Sequence, residues 1–433
     1  MPFEALSYPR RSVAVIGGGI SGLGAAWMLA PTHNVTVYEA EPRMGGHART
    51  RWAGVNRDQA VDTGFIVFNH VNYPQLMALF DRLDVPVVKS DMTFGASVRD
   101  GALEYGLKNL RALFAQPKNA ADPRFLRMIR DVLRFNATAL GVARQDQAKT
   151  VGGLLAALGT GEWFRDYYLL PLSGAIWSTP TEKILDFPAH AMMQFFENHA
   201  LLHHSGQHQW YTVAGGSVEY VTRLVAGLQG WGVQLRPDTP VAGLRRVAGG
   251  VEVRAHGGEW EMFDDVVLAT HSDDSLRLLV DPSEDETRIL SAVKYQPNDI
   301  VLHSDPSVMP RRRAVWSSWN YTEAPRKTVD TIDLTYWMNS LQPWLKQDDL
   351  FVTLNTTRPI RQELIWDQVT LRHPVYDLAA LEAQKQVPLL NGQRNTWFCG
   401  AWCRNGFHED GLSSAVDVAQ AVLARNAQRV AAE

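Results

Sequence analysis

The chain has 433 residues, 45% of them hydrophobic and 20% charged, with 14 Trp, 12 Tyr and 16 Phe. That composition excludes a disordered chain, the net charge of −4 gives no support to nucleic-acid binding, and the length suggests two or three domains at roughly 150 residues each. Two cysteines, Cys399 and Cys403, cannot make a disulfide framework, which favours a reducing compartment, and no run of about 18 uninterrupted apolar residues suggests a membrane span. At the N-terminus, Arg10 and Arg11 precede an apolar run from Val13 to Ala30. The run has the outline of a secretion signal or of a buried strand turning into a helix. Cleavage would destroy a complete glycine motif, which favours the second.

Residues 13–16 read as a short buried parallel strand. Gly17, Gly19 and Gly22 then spell G-x-G-x-x-G, with Ser21 inside the turn, and a helix continues to Leu29. A second strand, 35–38, ends at Glu39, 22 residues after Gly17. This is a dinucleotide fingerprint in its full strand–turn–helix–strand context. The first glycine permits the tight turn, the second lets a pyrophosphate approach the backbone, and the third lets helix and strand pack closely. The helix N-terminus supplies positive potential and the acid binds ribose hydroxyls. Directly after it, Arg43, Gly45 and Gly46 resemble the flavoprotein extension E-x-x-x-R-x-G-G, and Asp62-Thr63-Gly64 resembles the next flavin-proximal segment. Simple Rossmann NAD dehydrogenases lack this extension, so FAD is favoured over NAD.

Further along, Leu107, Leu110, Leu113, Phe114, Phe125, Ile129, Val132 and Leu133 recur at helical spacing through 107–145, and 151–158 and 187–202 are also helical. Beyond 160 lies an apolar cluster: Trp163, Phe164, Tyr167, Tyr168, Leu169, Leu170, Ile176 and Trp177, then Met192, Met193, Phe195, Phe196, Leu201 and Leu202. It reads either as core packing or as a channel for a long acyl chain. His199, His203, His204 and His208 have i,i+4 spacing but lack the carboxylate of a zinc helix, so no metal site is assigned. Residues 211–220 read as a glycine turn opening a helix, 233–244 as strand, turn, strand, and 265–270 as a buried strand with His271 next. Strands are expected at 298–303, 314–321, 329–339 and 350–356. Arg311-Arg312-Arg313 reads as a solvated turn or a lipid-phosphate contact. In 397–415 a strand ends at Gly400 and a helix begins near Gly411.

Together these segments resemble the flavin amine oxidase and phytoene desaturase superfamily. The resemblance implies an α/β fold in which a Rossmann-type FAD-binding domain of the GR2 kind (1–89, 205–290 and 396–433) is interleaved with a mixed-sheet plus helical substrate domain (90–204 and 291–395). It implies that Val241 contacts the adenine side. It also implies that Gly400, Asp410, Gly411 and Leu412 hold the flavin, with the helix N-terminus aimed at the pyrimidine ring. Residues 171–180, 187–202 and GFHEDG (406–411) resemble a bacterial branch of predicted NAD/FAD-binding proteins, similar to the fatty-acid desaturase of furan fatty acid biosynthesis. Two features depart from monoamine oxidases. His408 stands where a caging tyrosine belongs, and no cysteine lies near His373–Tyr376 to attach the flavin, so the FAD is expected to be noncovalent.

Desaturation requires a base to take a proton while hydride leaves to flavin. The candidates are Glu409, His408 and His271; Glu409 and Asp410 also read structurally, as caps of the following helix or contacts to the ribityl chain, a reading that weighs as much as catalysis for Asp410 and less for Glu409. The expected function is therefore FAD-dependent dehydrogenation of an apolar substrate, first an unsaturated fatty acyl chain, free or in a phospholipid. Two alternatives stay open, an amine or amino-acid oxidase and a non-catalytic FAD-binding accessory of lipid modification. The expected partners are a lipid substrate, a membrane surface and a lipid methyltransferase, and the expected location is cytoplasmic, at the inner membrane face.

Overall fold

The computed structural model describes residues 10–177, 181–202, 208–323 and 333–432. At its centre is a five-stranded sheet in the order Gln234–Arg236, Asn34–Tyr38, Ser12–Ile16, Asp265–Leu268, Thr396–Phe398, parallel throughout. Val13, Ala14 and Val15 are fully buried, as expected of a short unalternating apolar run covered on both faces. Val13 and Val15 pack with the helices Ile20–Leu29, Val218–Gly230 and His408–Ala432. Ala14 and Ile16 pack on the other face, against the antiparallel meander Val241–Val247, Gly250–Ala255, Trp260–Phe263. That division is the period-two geometry of a strand.

A seven-stranded mixed sheet stands opposite, in the order Ile365–Val375, Lys294–His303, Phe351–Leu354, Leu334–Trp337, Trp319–Thr322, Phe94–Val98, Leu103–Gly106. Only Trp319–Thr322 with Phe94–Val98 pairs in parallel; its other neighbours are antiparallel. The parallel sheet thus draws on residues 12–38, 234–268 and 396–398, and the mixed sheet on 94–106 and 294–375. Against one end of the mixed sheet lie the helices Pro123–Arg144, Val151–Leu158, Leu170–Trp177 and Ala189–Asn198. The first is started by Asp122, which accepts from the Arg124 amide, with Pro123 at its first position. Among the described residues no helix is long and apolar enough to cross a membrane.

Several boundaries differ from the expected ones. The strand expected at 314–321 begins only at Trp319, because Arg313–Val315 form a 3-10 turn. Ile365–Val375 carries Asp367, Gln368, Thr370, Arg372 and Pro374, a composition tolerated at a sheet edge and invisible to apolar patterning. In the long helix Phe125, Met128 and Phe135 turn inward, whereas Leu133 faces solvent. The closing helix starts at His408, so Glu409 and Asp410 lie in its first turn.

Candidate active site

A cavity of about 710 Å³ opens outside the carboxyl ends of the parallel strands, where Ile16, Gly17, Tyr38, Glu39, Ala269, Thr270 and Gly400 line it. Ligands of open parallel sheets bind at this position. Gly17 has φ +108°, and a Cβ at Gly22 would overlap the Gly17 carbonyl oxygen, so the turn closes only with glycine at both positions. Glu39 folds back over that turn. Its Oε2 accepts from the Gly18 amide at 2.6 Å and its Oε1 from Glu41 N at 2.8 Å. Helix Ile20–Leu29 has no acid in its first turn and no side-chain cap, which leaves its free amides available to an anion. Gly19, Ser21, Gly46 and Gly64 line the same region, and Val241 lines it beside Thr239 and Pro240.

Arg43, Gly45 and Thr63 support this wall from behind and do not line the cavity. The Arg43 guanidinium donates to Gly46 O (2.8 Å) and Ala48 O (3.0 Å) and pairs with Glu41 (2.9 Å). Arg43 therefore shapes the loop. Thr63 Oγ1 is engaged with Arg49.

Four histidines gather along the same cavity. The His408 ring stacks on Phe65 (3.9 Å between centroids, 11° between planes), and its Nε2 meets Tyr220 Oη at 2.6 Å. His47 lies 5.9 Å from His271 and 5.6 Å from His373 between ring centroids. His373 Nδ1 accepts from Asn298 Nδ2 at 2.8 Å. Burial, with help from neighbouring histidines, pushes His271, His373 and His408 down to about 3, so all three are neutral at pH 7. Met92, Ile176, Trp210, Trp319, Tyr336, Leu341 and Phe407 give the cavity an apolar wall. Charged side chains lining the cavity are all engaged elsewhere: Arg372 with Asp273 and Asp274, Arg277 with Asp274, Glu41 with Arg43, and Glu39 with the turn.

Other residues singled out in the sequence lie mostly apart from this cavity. Glu409 does not face the cavity. Its oxygens accept from the Gln75 and Leu76 amides, both at 2.9 Å, capping helix Pro74–Leu83. Asp410 accepts from Phe407 N at 2.9 Å, inside its own helix start, and with Glu409 lines a neighbouring cavity of about 430 Å³. Gly411 and Leu412 lie at a helix–helix contact, Gly411 against Ser21 and Leu412 against Gly24. The apolar cluster of 163–202 is core: Phe164, Tyr168, Leu169, Met192, Met193 and Phe196 are buried together. From that cluster Ile176 lines the large cavity and Phe195 the smaller one, while the side chain of Trp177 lies outside the described residues.

The arginine run is paired, Arg311 with Asp100, Arg312 with Glu104 and Arg313 with Asp349, so it offers no free phosphate contact. His199 and His208 each bond a backbone carbonyl, and His203 and His204 lie outside the described residues. Sequence reasoning missed His47, Phe65, Tyr220 and the apolar wall. Only His47, directly after Gly45-Gly46, carried a positional signal.

The cradle fits a dinucleotide: a glycine turn with no room for Cβ, open helix amides and a ribose-side carboxylate share one cavity. The Flavin containing amine oxidoreductase family matches residues 20–423. L-amino-acid oxidase of Sistrurus catenatus edwardsii is 53% identical over 47 residues, which cover 11% of this chain and 9% of that protein. The fold is shared with the CLA-producing fatty acid isomerase from P. acnes (TM-score 0.64, 17% identity, 96% of this chain and 99% of that chain). It is shared also with cyclohexylamine oxidase from Brevibacterium oxydans IH-35A (TM-score 0.62, 16% identity, 96% and 100%). The chain belongs to the flavin-containing amine oxidoreductase family and is an FAD-dependent oxidoreductase.

Proposed function

We propose that this oxidoreductase removes two hydrogens from an uncharged, apolar stretch of its substrate, in the first instance an unsaturated fatty acyl chain, free or in a phospholipid. One observation carries the reading. Besides its histidines the cavity is lined by Met92, Ile176, Trp210, Trp319, Tyr336, Leu341 and Phe407, and its charges are already paired. An ammonium or carboxylate placed against this wall would be desolvated without a partner, at a cost of several kcal/mol. An alkyl chain loses nothing by leaving water. The fatty acid isomerase, named for a lipid substrate, has the same fold.

When bound, FAD accepts the hydride. The protein's part is to hold one C–H bond towards the flavin, exclude water and receive the proton from the adjacent carbon, leaving a C=C bond. With Glu409 committed to a helix cap, proton removal falls to a neutral histidine of the cavity, His271 or His408. The interleaved division into FAD and substrate segments, contact with a membrane surface and a lipid methyltransferase partner belong to the same reading. The test is anaerobic: purified yellow protein is mixed with lipid extract and, separately, with an amine panel. Bleaching of the flavin by lipid supports the proposal. Bleaching by amines alone replaces it with an amine oxidase, and no bleaching by either favours a non-catalytic accessory.

A further inference from the structure

Tyr220 is fully buried, and among the described residues its hydroxyl has one partner, His408 Nε2, at 2.6 Å. A buried O–H left without an acceptor costs about 1–3 kcal/mol, so the phenol hydrogen points at Nε2. A neutral imidazole that accepts at Nε2 carries its hydrogen on Nδ1. Nδ1 has no partner among the described residues, and the ring, held flat against Phe65, lines the large cavity. The titratable groups around the ring are Tyr220, whose proton burial holds in place, and His47, which burial keeps from protonating. Neither supplies a negative charge that would stabilise an imidazolium.

We propose that Tyr220 is a positioning residue that locks His408 as a neutral Nδ1–H donor, and that this N–H binds an uncharged acceptor oxygen within the cavity. The acceptor is a carbonyl oxygen, of the substrate's acyl group or of the flavin ring. The assignment rests on the uncharged-substrate reading and sharpens it, because a donor at Nδ1 cannot be the base and proton removal is left to His271.

The direct test is the ring nitrogen spectrum of the histidine-labelled holoenzyme, with His408→Gln used to assign the signal. The expected result is a neutral Nδ1–H tautomer for His408 at neutral pH, lost or mixed in Tyr220→Phe. A dominant Nε2–H tautomer, or an imidazolium, would overturn the proposal. This measurement on the wild-type protein stands even if Tyr220→Phe fails to fold. It is also independent of turnover: an Nδ1–H tautomer in a protein whose flavin lipids never bleach sinks the substrate reading alone. Two further arms identify the acceptor. If it is the flavin, Tyr220→Phe shifts the flavin absorption and its reduction potential without substrate. If it is the substrate, those stay fixed, and KM for an acyl ester rises about tenfold with kcat less affected, the size of one lost hydrogen bond of about 1.4 kcal/mol. Unchanged flavin properties together with an unchanged KM would refute the donor role.

Discussion

Gly22 and Glu409 show how a single side chain decides between binding a cofactor and holding up the frame. No Cβ fits at Gly22, because the Gly17 carbonyl already occupies that space. Gly22→Ala must therefore open the turn that carries the helix amides, and the expected product is a folded protein that purifies colourless. The ratio of flavin to protein absorbance checks this, and a yellow Gly22→Ala protein would mean that the turn yields more easily than its geometry indicates. Glu409 leads to the opposite outcome. Both its oxygens hold amides at the start of helix Pro74–Leu83. Glutamine offers one acceptor without the charge, so Glu409→Gln should lose about 1–2 kcal/mol of stability. Turnover per bound flavin should stay near that of the parent. Urea unfolding and steady-state rates separate the two effects, and a large loss of rate at unchanged stability would return Glu409 to the candidate bases.

Between elements, the glycine-turn helix Ile20–Leu29 packs closely on the closing helix His408–Ala432. A Cβ placed on Gly24 would stand 2.5 Å from Leu412 Cδ1 and 3.6 Å from Ala415 Cβ. Gly24→Ala alone should destabilise by about 1–3 kcal/mol through overpacking. With Leu412→Ala already present, the same substitution fills space and should cost little or be favourable. A double-mutant cycle read by urea unfolding is thus expected to show coupling above about 1 kcal/mol, and additive effects would mean that the helices shift apart freely. This joint also marks where the sequence could and could not be read. The glycine turn, its two strands and Glu39 were legible because their chemistry is local. The partner of Gly24 lies near the far end of the chain, and Leu412 could be placed near the flavin by resemblance but not against a particular glycine. The cavity wall fared worse. Met92, Trp210, Trp319, Tyr336 and Leu341 each contribute from a different strand, loop or helix, and no spacing links them. The dense cluster of 163–202 attracted notice by composition, yet composition reports burial and not what is buried against, and most of it packs on itself.

Over the whole molecule, buried histidines should set the acid limit of stability. Burial lowers His33, His47, His199, His271, His303, His373 and His408, with His271, His373 and His408 held at about 3 and His303 at about 4. In the unfolded chain a histidine titrates near 6.5. As pH falls from about 7.5 towards 5, protons therefore bind the unfolded state in preference to the folded one, and folding stability drops. Buried carboxyls work the other way. Asp410, raised to about 6 by burial, takes a proton in the folded state before it would when unfolded, as do Asp62, Asp333 and Glu409. These four groups oppose seven, and the unfolded histidines, near 6.5, start to titrate somewhat above Asp410, at about 6. The expected outcome is a urea midpoint that falls between about pH 7.5 and 5.5, with a slope of more than one proton. His303 isolates the cause, because it lies in the mixed sheet, bonded to Thr353 Oγ1 (2.7 Å) and the Asp305 amide (3.1 Å), and does not line the cavity. His303→Gln can donate to the threonine and accept from the amide without titrating, so it should flatten the pH slope while keeping the flavin in place. A slope unchanged by that substitution, or a midpoint that rises in acid, would mean that the carboxyls outweigh the histidines.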